Sequence, residues 1–251
     1  MWNIPETLPA AYLNIPVTTP KLPVNPNGNW DKLSGNRDIN KLTHLVLHHD
    51  ALPKSKFTNV SDQELMNRIA NNHINMTTNH KLGENFPYHI YIRSGKVYLT
   101  NPITYRTYGA RNNNDYTVHI CVAGDYKDFD TLTDPDRLAL HLAIIIAKAS
   151  MTKYVKMVGH DDLVATDCPG YSVKEIEDQV NQLEMEISIM EQPKSKADRA
   201  YKVANQILYL YKMFAEGKDA NGNVVNDGQR SWALLQVLKL EEEMKRLGLL
   251  K

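Results

Sequence analysis

The spacing of apolar positions changes rhythm several times along this chain, and each change predicts an element. Leu42 to His48 is a short, nearly continuous apolar run, the pattern of a buried strand. Asp50 to Asn59 reads as a loop. Ser61-Asp62-Gln63-Glu64 reads as a capping box that opens a helix through Leu65 and Ile69 to about Asn72. Polar, Asn-rich sequence follows to Asn85. Tyr88 to Ile92 alternates as a strand does, Ser94-Gly95 turns it, and Lys96 to Thr100 returns, which predicts a hairpin. Tyr105 to Tyr116 is a loop, and Thr117 to Gly124 is a further strand. Asp134-Pro135 supplies a cap and an N1 proline for a helix to about Ser150. That helix is apolar round most of its circumference, so burial is expected. Val155 to Val158 is a short strand, and Ser172 opens a helix through Ile176, Val180, Leu183 and Ile187.

The two ends differ from this middle. Residues 1–40 carry Pro5, Pro9, Pro16, Pro20, Pro23 and Pro26, a density that disfavours helix and suits an extended arm. Its scattered Leu8, Tyr12, Leu13, Ile15, Val17 and Leu22 would lie on the folded body, and Asn25-Pro26-Asn27-Gly28-Asn29 is turn chemistry. The pattern breaks again at Gln192-Pro193-Lys194-Ser195. Beyond it, Ala197 to Ala215 and Ser231 to Leu247 read as amphipathic helices around a polar loop, Gly217 to Gly228. The predicted organisation is an arm over 1–40, an α/β domain over 41–192 with a mixed central β-sheet flanked by helices, and a C-terminal α-helical hairpin or small bundle over 193–251. The tail suits packing, self-association or target binding.

Composition narrows the function. Lys+Arg and Asp+Glu both number 29, so no global basic field argues for nucleic acid or an anionic membrane. No apolar run approaches a membrane span. Met1-Trp2-Asn3-Ile4-Pro5 lacks the basic and apolar regions of a signal peptide. Cys121 and Cys168 are the only cysteines, too few for a disulfide scaffold and in keeping with a reducing compartment.

The chemistry concentrates between Met157 and Gly170. His160 and Cys168 stand eight positions apart there, and imidazole and thiolate are side chains that zinc favours. Taken alone, the pair also fits a satisfied histidine and a small buried thiol. A third ligand is on offer at the end of the first strand, from His48 or His49. Adjacent strand residues point to opposite faces, so at most one of the two reaches a given metal. Two histidines and a cysteine would leave the fourth position open to water, as in a catalytic site.

The order of these pieces resembles a known family. His48-His49 after an apolar strand, Tyr88-His89, the strand Thr117 to Gly124, Gly159-His160-Asp161-Asp162 and Thr166-Asp167-Cys168-Pro169-Gly170 are similar to the zinc N-acetylmuramoyl-L-alanine amidases. These are the type-2 amidase and peptidoglycan recognition protein family, which includes phage lysozymes of the T7 type. The likeness spans roughly residues 41–185. It implies zinc held by His48, His160 and Cys168, with His49 packing or supporting. It implies hydrolysis of the amide between muramic acid and the L-alanine of the stem peptide. Tyr88 matches the tyrosine facing the zinc water, Thr166 matches a position held by lysine or threonine, and Asp162 matches a residue that orders the loop around His160. One thiolate ligand weakens the metal's pull on a carbonyl, so Tyr88 and Thr166 are the expected oxyanion donors. Cys121 stands where some amidases carry a glutamate base, which favours a Tyr-assisted route. Asp50, and Tyr108-Gly109-Ala110 where many relatives have a histidine lining the groove, depart from the family. His44, His73, His80, His89, His119 and His141 have no ligand spacing and read as surface or satisfied core histidines.

The implied protein is a peptidoglycan hydrolase, a phage or prophage lytic enzyme made in the host cytoplasm and acting on the cell wall after release. Its expected cofactor is Zn²⁺ and its expected partner bacterial peptidoglycan, with self-association through the C-terminal helices. A non-catalytic muropeptide-binding module is the alternative, against which Cys168 argues, because recognition-only relatives commonly lack that ligand. A structural or regulatory virion component is the third reading.

Overall fold

The structure is a computed structural model that describes residues 1–25, 37–76, 85–191, 237–239, 242 and 245. The chain divides into two compact units, Met1–Glu184 and Met185–Lys251. In the second, the described residues are helical, and Val237 is buried. The expected turn at 25–29 beyond Asn25, His80, the helix over 197–215, the loop over 217–228 and most of the helix over 231–247 lie outside the described residues.

The first unit is built on a six-stranded mixed sheet. Its strands are β1 (Val17–Thr18), β2 (His44–His49), β3 (Ile90–Arg93), β4 (Lys96–Leu99), β5 (Thr117–Val122) and β6 (Lys156–Gly159). The spatial order is β1-β4-β3-β5-β2-β6. Among these strands the only antiparallel pair is the β3–β4 hairpin; the other neighbours run parallel. Its two-residue turn places Ser94 at φ 53° and Gly95 at φ 69°, the left-handed pair that suits strand twist. Gly95 also lies so close to a flanking helix that a Cβ there would meet the Pro135 Cβ at 2.9 Å.

β2 and β5 sit inside the sheet, so both faces of each are buried; one face is apolar and the other carries His48, Thr117 and His119 beside Val46 and Cys121. One face carries Leu45, Leu47, Ile90, Ile92, Val118, Ile120 and Val122, all buried. The long apolar helix α3 (Asp134–Ser150) covers it, running against β3, β4 and β5. The cap lies one residue before the expected Asp134: the Thr133 hydroxyl accepts from the Asp136 N–H, and Asp134 and Pro135 fall in the first turn. Helix α4 (Val173–Glu191) lies along α3 through Arg137–Glu175 and Lys148–Glu184 ion pairs and a His141–Gln179 hydrogen bond. On the other face, helix α2 (Asp62–Met76) sets Met66 and Ala70 against Tyr91, Tyr98, Cys121 and Phe86. The Ser61 hydroxyl caps α2 by accepting from the Glu64 N–H at 3.2 Å.

The N-terminal segment follows the body closely. The Trp2 indole N–H donates to the Asn101 carbonyl, the Asn3 N–H donates to the Ser150 hydroxyl at 2.7 Å, and β1 adds an edge strand beside β4. One local expectation fails here: Ala10–Leu13 forms a single helical turn, α1, despite the prolines. Pro9 precedes that turn and needs no N–H, and its carbonyl accepts from the Tyr12 N–H at 2.9 Å. Two bounds also move. The loop after Asp50 contains a 3-10 turn, Lys54–Phe57, and α2 continues past Asn72 to Met76.

Candidate metal centre

β2 delivers two adjacent histidines to opposite faces. His48 pairs laterally with Cys121 and lies on the α2 face, while His49 lies on the α3 face. His48 is 1 % exposed and His160 is half-buried. Their rings are 4.6 Å apart between centroids. Cys168 is buried, with its Sγ 3.7 Å from the His48 Nδ1. One ligating atom from each of His48, His160 and Cys168 lies within 4.8 Å of the other two, an arrangement able to hold a metal ion.

Each of the three side chains is fixed by its local chain. His160 opens a 3-10 turn, His160–Asp162, directly after β6. The Asp162 carboxylate accepts from the Gly159 N–H at 2.8 Å, which pins the turn's entry. The Asp161 N–H donates to the Cys168 carbonyl at 2.8 Å, tying the segments that carry His160 and Cys168 together. Gly170 ends the segment at φ 75°, where a Cβ would meet the Tyr126 carbonyl carbon at 2.8 Å. The Cys168 sulfur receives the His49 N–H at 3.3 Å. Burial pushes the Cys168 thiol up to about 12, and that N–H acts in the opposite sense by favouring the thiolate. His49 itself turns away, its Nδ1 accepting from the Tyr126 N–H at 3.2 Å.

The remaining expected residues border this cluster. Tyr88 precedes β3 and sets its ring 5.1 Å from that of His48. Burial pushes its hydroxyl well above the usual range, so it stays protonated. Thr166 is exposed, and its hydroxyl oxygen accepts from the Cys168 N–H at 3.3 Å, which leaves its own O–H free to donate. Asp50 follows β2 directly. It accepts from the Tyr91 hydroxyl at 2.6 Å and from the Gly124 N–H at 2.9 Å, and burial raises its pKa to about 6.

Residues 38–171, more than half of the chain, match the family model described as N-acetylmuramoyl-L-alanine amidase. The chain belongs to that amidase family. Among solved structures, N-acetylmuramoyl-L-alanine amidase LysC from Clostridium intestinale URNW is similar to the amidase at 24% identity, over 65% of this chain and 99% of that one, with a TM-score of 0.45. The Ph2119 endolysin from a Thermus scotoductus bacteriophage is similar at 21% identity, over 64% and 99%, with a TM-score of 0.45. The peptidoglycan recognition protein PGRP-SA of Apis mellifera is similar at 20% identity, over 65% and 94%, with a TM-score of 0.48. No curated protein is a significant match to the chain.

Sequence reasoning passed over the residues that support the cluster in this amidase. His119 lies two places before Cys121, is fully buried, and holds its Nδ1 3.0 Å from the His48 Nε2. His89 stacks on it at 5.6 Å and accepts its backbone N–H. Arg37, assigned by composition to the arm, is buried behind them. The available signal was weak: His119 and Cys121 share a face of one strand, but that strand's pairing with β2 is not a local property.

Proposed function

We propose that this chain hydrolyses the amide between N-acetylmuramic acid and L-alanine in bacterial peptidoglycan, with a zinc ion held by His48, His160 and Cys168. What supports the metal is the donor set and its spacing. A tetrahedral ion with bonds of about 2.0 Å to nitrogen and about 2.3 Å to sulfur keeps those atoms about 3.5 Å apart, and the His48 Nδ1 and Cys168 Sγ are 3.7 Å apart. Burial, then the neighbouring imidazoles, hold His48 well below the usual histidine range, so it presents a neutral ring. Bound there, zinc would lower the pKa of a coordinated water and polarise the substrate carbonyl.

The protein supplies the rest of the chemistry. His48 and Cys168 form the buried side of the centre and half-buried His160 its outer side, so an amide would approach past His160. Thr166, anchored by the Cys168 N–H, offers a hydroxyl donor at the rim for charge developing on the carbonyl oxygen. Tyr88 stays protonated, so it keeps an O–H that can donate to a developing oxyanion. The chain acts on the wall after release from the cell that makes it, as phage lytic enzymes do. Residues 193–251 serve self-association or wall binding.

Zinc content and the bond cut test this reading together. Purified protein is expected to carry one zinc per chain and to release L-alanine amino termini from cell wall. His160→Ala and Cys168→Ser are each expected to lose both. Wild-type binding to the wall without such release would make the chain a recognition module, and full activity of either variant would reject the centre.

A further inference from the structure

We propose that His119 is a positioning residue that fixes the tautomer of His48 and so aims its Nδ1 at the metal. This rests on the reading of His48, His160 and Cys168 as metal ligands.

The hydrogen-bond chain behind His48 leaves little choice of proton placement. The Thr117 hydroxyl lies 2.7 Å from the Asn113 carbonyl, which only accepts, so the hydroxyl proton points there. The same oxygen is 2.9 Å from the His119 Nε2. It must accept on that side, so the His119 Nε2 carries a hydrogen. His119 is fully buried and no carboxylate is among its hydrogen-bond partners in the described residues, which favours the neutral ring. Its Nδ1 is then bare and accepts from the His48 Nε2–H at 3.0 Å. With its proton on Nε2, His48 turns an unprotonated Nδ1 toward the Cys168 sulfur. Each proton in this chain is committed by the acceptor beyond it, ending at a backbone carbonyl.

The fold makes room for this ring at one point. A Cβ on Gly109 would lie 2.8 Å from the His119 Nδ1 and 2.9 Å from its Cγ. Any larger residue there would press on the atom that receives the His48 proton. On the other side His89 stacks on His119 and accepts its backbone N–H at 3.0 Å. The imidazole is thus held on both flanks while Thr117 and His48 occupy its two nitrogens. Partners of this kind are worth about 10–100-fold in metal affinity elsewhere.

The test compares zinc affinity, by competition with a chromophoric chelator, in wild type, His119→Leu, His119→Gln and Gly109→Ala. Nitrogen-15 NMR of the metal-free wild type reads the His48 tautomer directly. The expected results are a protonated Nε2 on His48, a loss of about 10–100-fold in affinity for His119→Leu and Gly109→Ala, and partial recovery in His119→Gln, whose amide oxygen restores an acceptor. A proton on the His48 Nδ1 in the wild type, or unchanged affinity in folded Leu and Ala variants, overturns the proposal. The NMR result stands even if the variants do not fold. A wild type that binds no zinc would instead remove the metal reading on which the proposal rests.

Discussion

Arg37→Met is expected to destabilise the protein by about 3 kcal/mol, although in the described residues Arg37 is hydrogen-bonded neither to His48, His160 or Cys168 nor to any carboxylate side chain. Its guanidinium is buried and, besides a 2.9 Å contact between Nη2 and the His89 Nε2, is spent on main-chain carbonyls. Nη1 donates to Asn114 at 2.5 Å and Thr117 at 2.6 Å, and Nη2 donates to Ile103 at 2.8 Å. Burial, with Arg106 nearby, lowers its pKa to about 9, so it remains a cation at neutral pH. Methionine fills much of the same volume without donors. The buried Thr117 and Ile103 carbonyls and the part-buried Asn114 carbonyl then lose this partner at about 1–3 kcal/mol each. Release of a costly buried cation offsets part of that sum, which places the net near its lower end. Urea unfolding of the full chain, followed by circular dichroism, measures it. Lysine keeps the charge but not the fork that spans carbonyls on two loop segments, so Arg37→Lys is expected to cost at least as much. A cost below about 1 kcal/mol for Arg37→Met would refute the reasoning, because water would then be reaching and satisfying the three carbonyls.

Burial holds the His141 pKa down to about 4, between the Tyr12 hydroxyl and the Gln179 amide. The unfolded chain takes that proton first as pH falls, so stability drops from about pH 6.5 toward pH 4 by roughly 3 kcal/mol and levels below it; His141→Leu should flatten that part of the urea-midpoint profile, and an unchanged slope would exclude His141 as its source. Thr166→Val and Tyr88→Phe should retain zinc while kcat falls about 10²–10³-fold for whichever hydroxyl meets the oxyanion; unchanged kcat in both would leave the site without a side-chain donor. Gly170→Ala must place a Cβ at φ 75° against the Tyr126 main chain, so a loss of about 2 kcal/mol or more is expected by thermal unfolding, and a neutral result would mean that this loop repacks freely.

Elements whose signal is local were legible in the sequence. The helix Asp134–Ser150 declares its start to within one residue and its burial, and the β3–β4 hairpin declares its turn in Ser94-Gly95. The trio His48, His160 and Cys168 was named through the family resemblance, and the fold brings one atom of each within 4.8 Å of the others. What could not be read is what forms between segments. His119 meets His48 only because Val46 pairs with His119 and His48 with Cys121 in the parallel β2–β5 ladder, two strands that are far apart in the chain. Arg37 lies in a proline-rich stretch whose composition says arm, yet its guanidinium reaches carbonyls as distant as Thr117.

The choice between His48 and His49 shows where local information stops and tertiary structure decides. A slip of one residue in β2 would exchange the two, since strand side chains alternate. The apolar pattern does not prevent it: Leu45, Val46 and Leu47 are each completely buried, so both faces accept them equally. The histidines themselves supply the discrimination. In the observed register the His49 Nδ1 accepts from the Tyr126 N–H, its main-chain N–H reaches the Cys168 sulfur, and the His48 Nε2 finds the His119 ring. A slipped strand would present His49 to His119 and carry the N–H of a different residue to the sulfur. Two buried imidazoles would have to find new partners together, at about 1–3 kcal/mol for each group left unpaired. The hydrogen bonds that support the His48–His160–Cys168 cluster are therefore also the ones that hold the central strand in register.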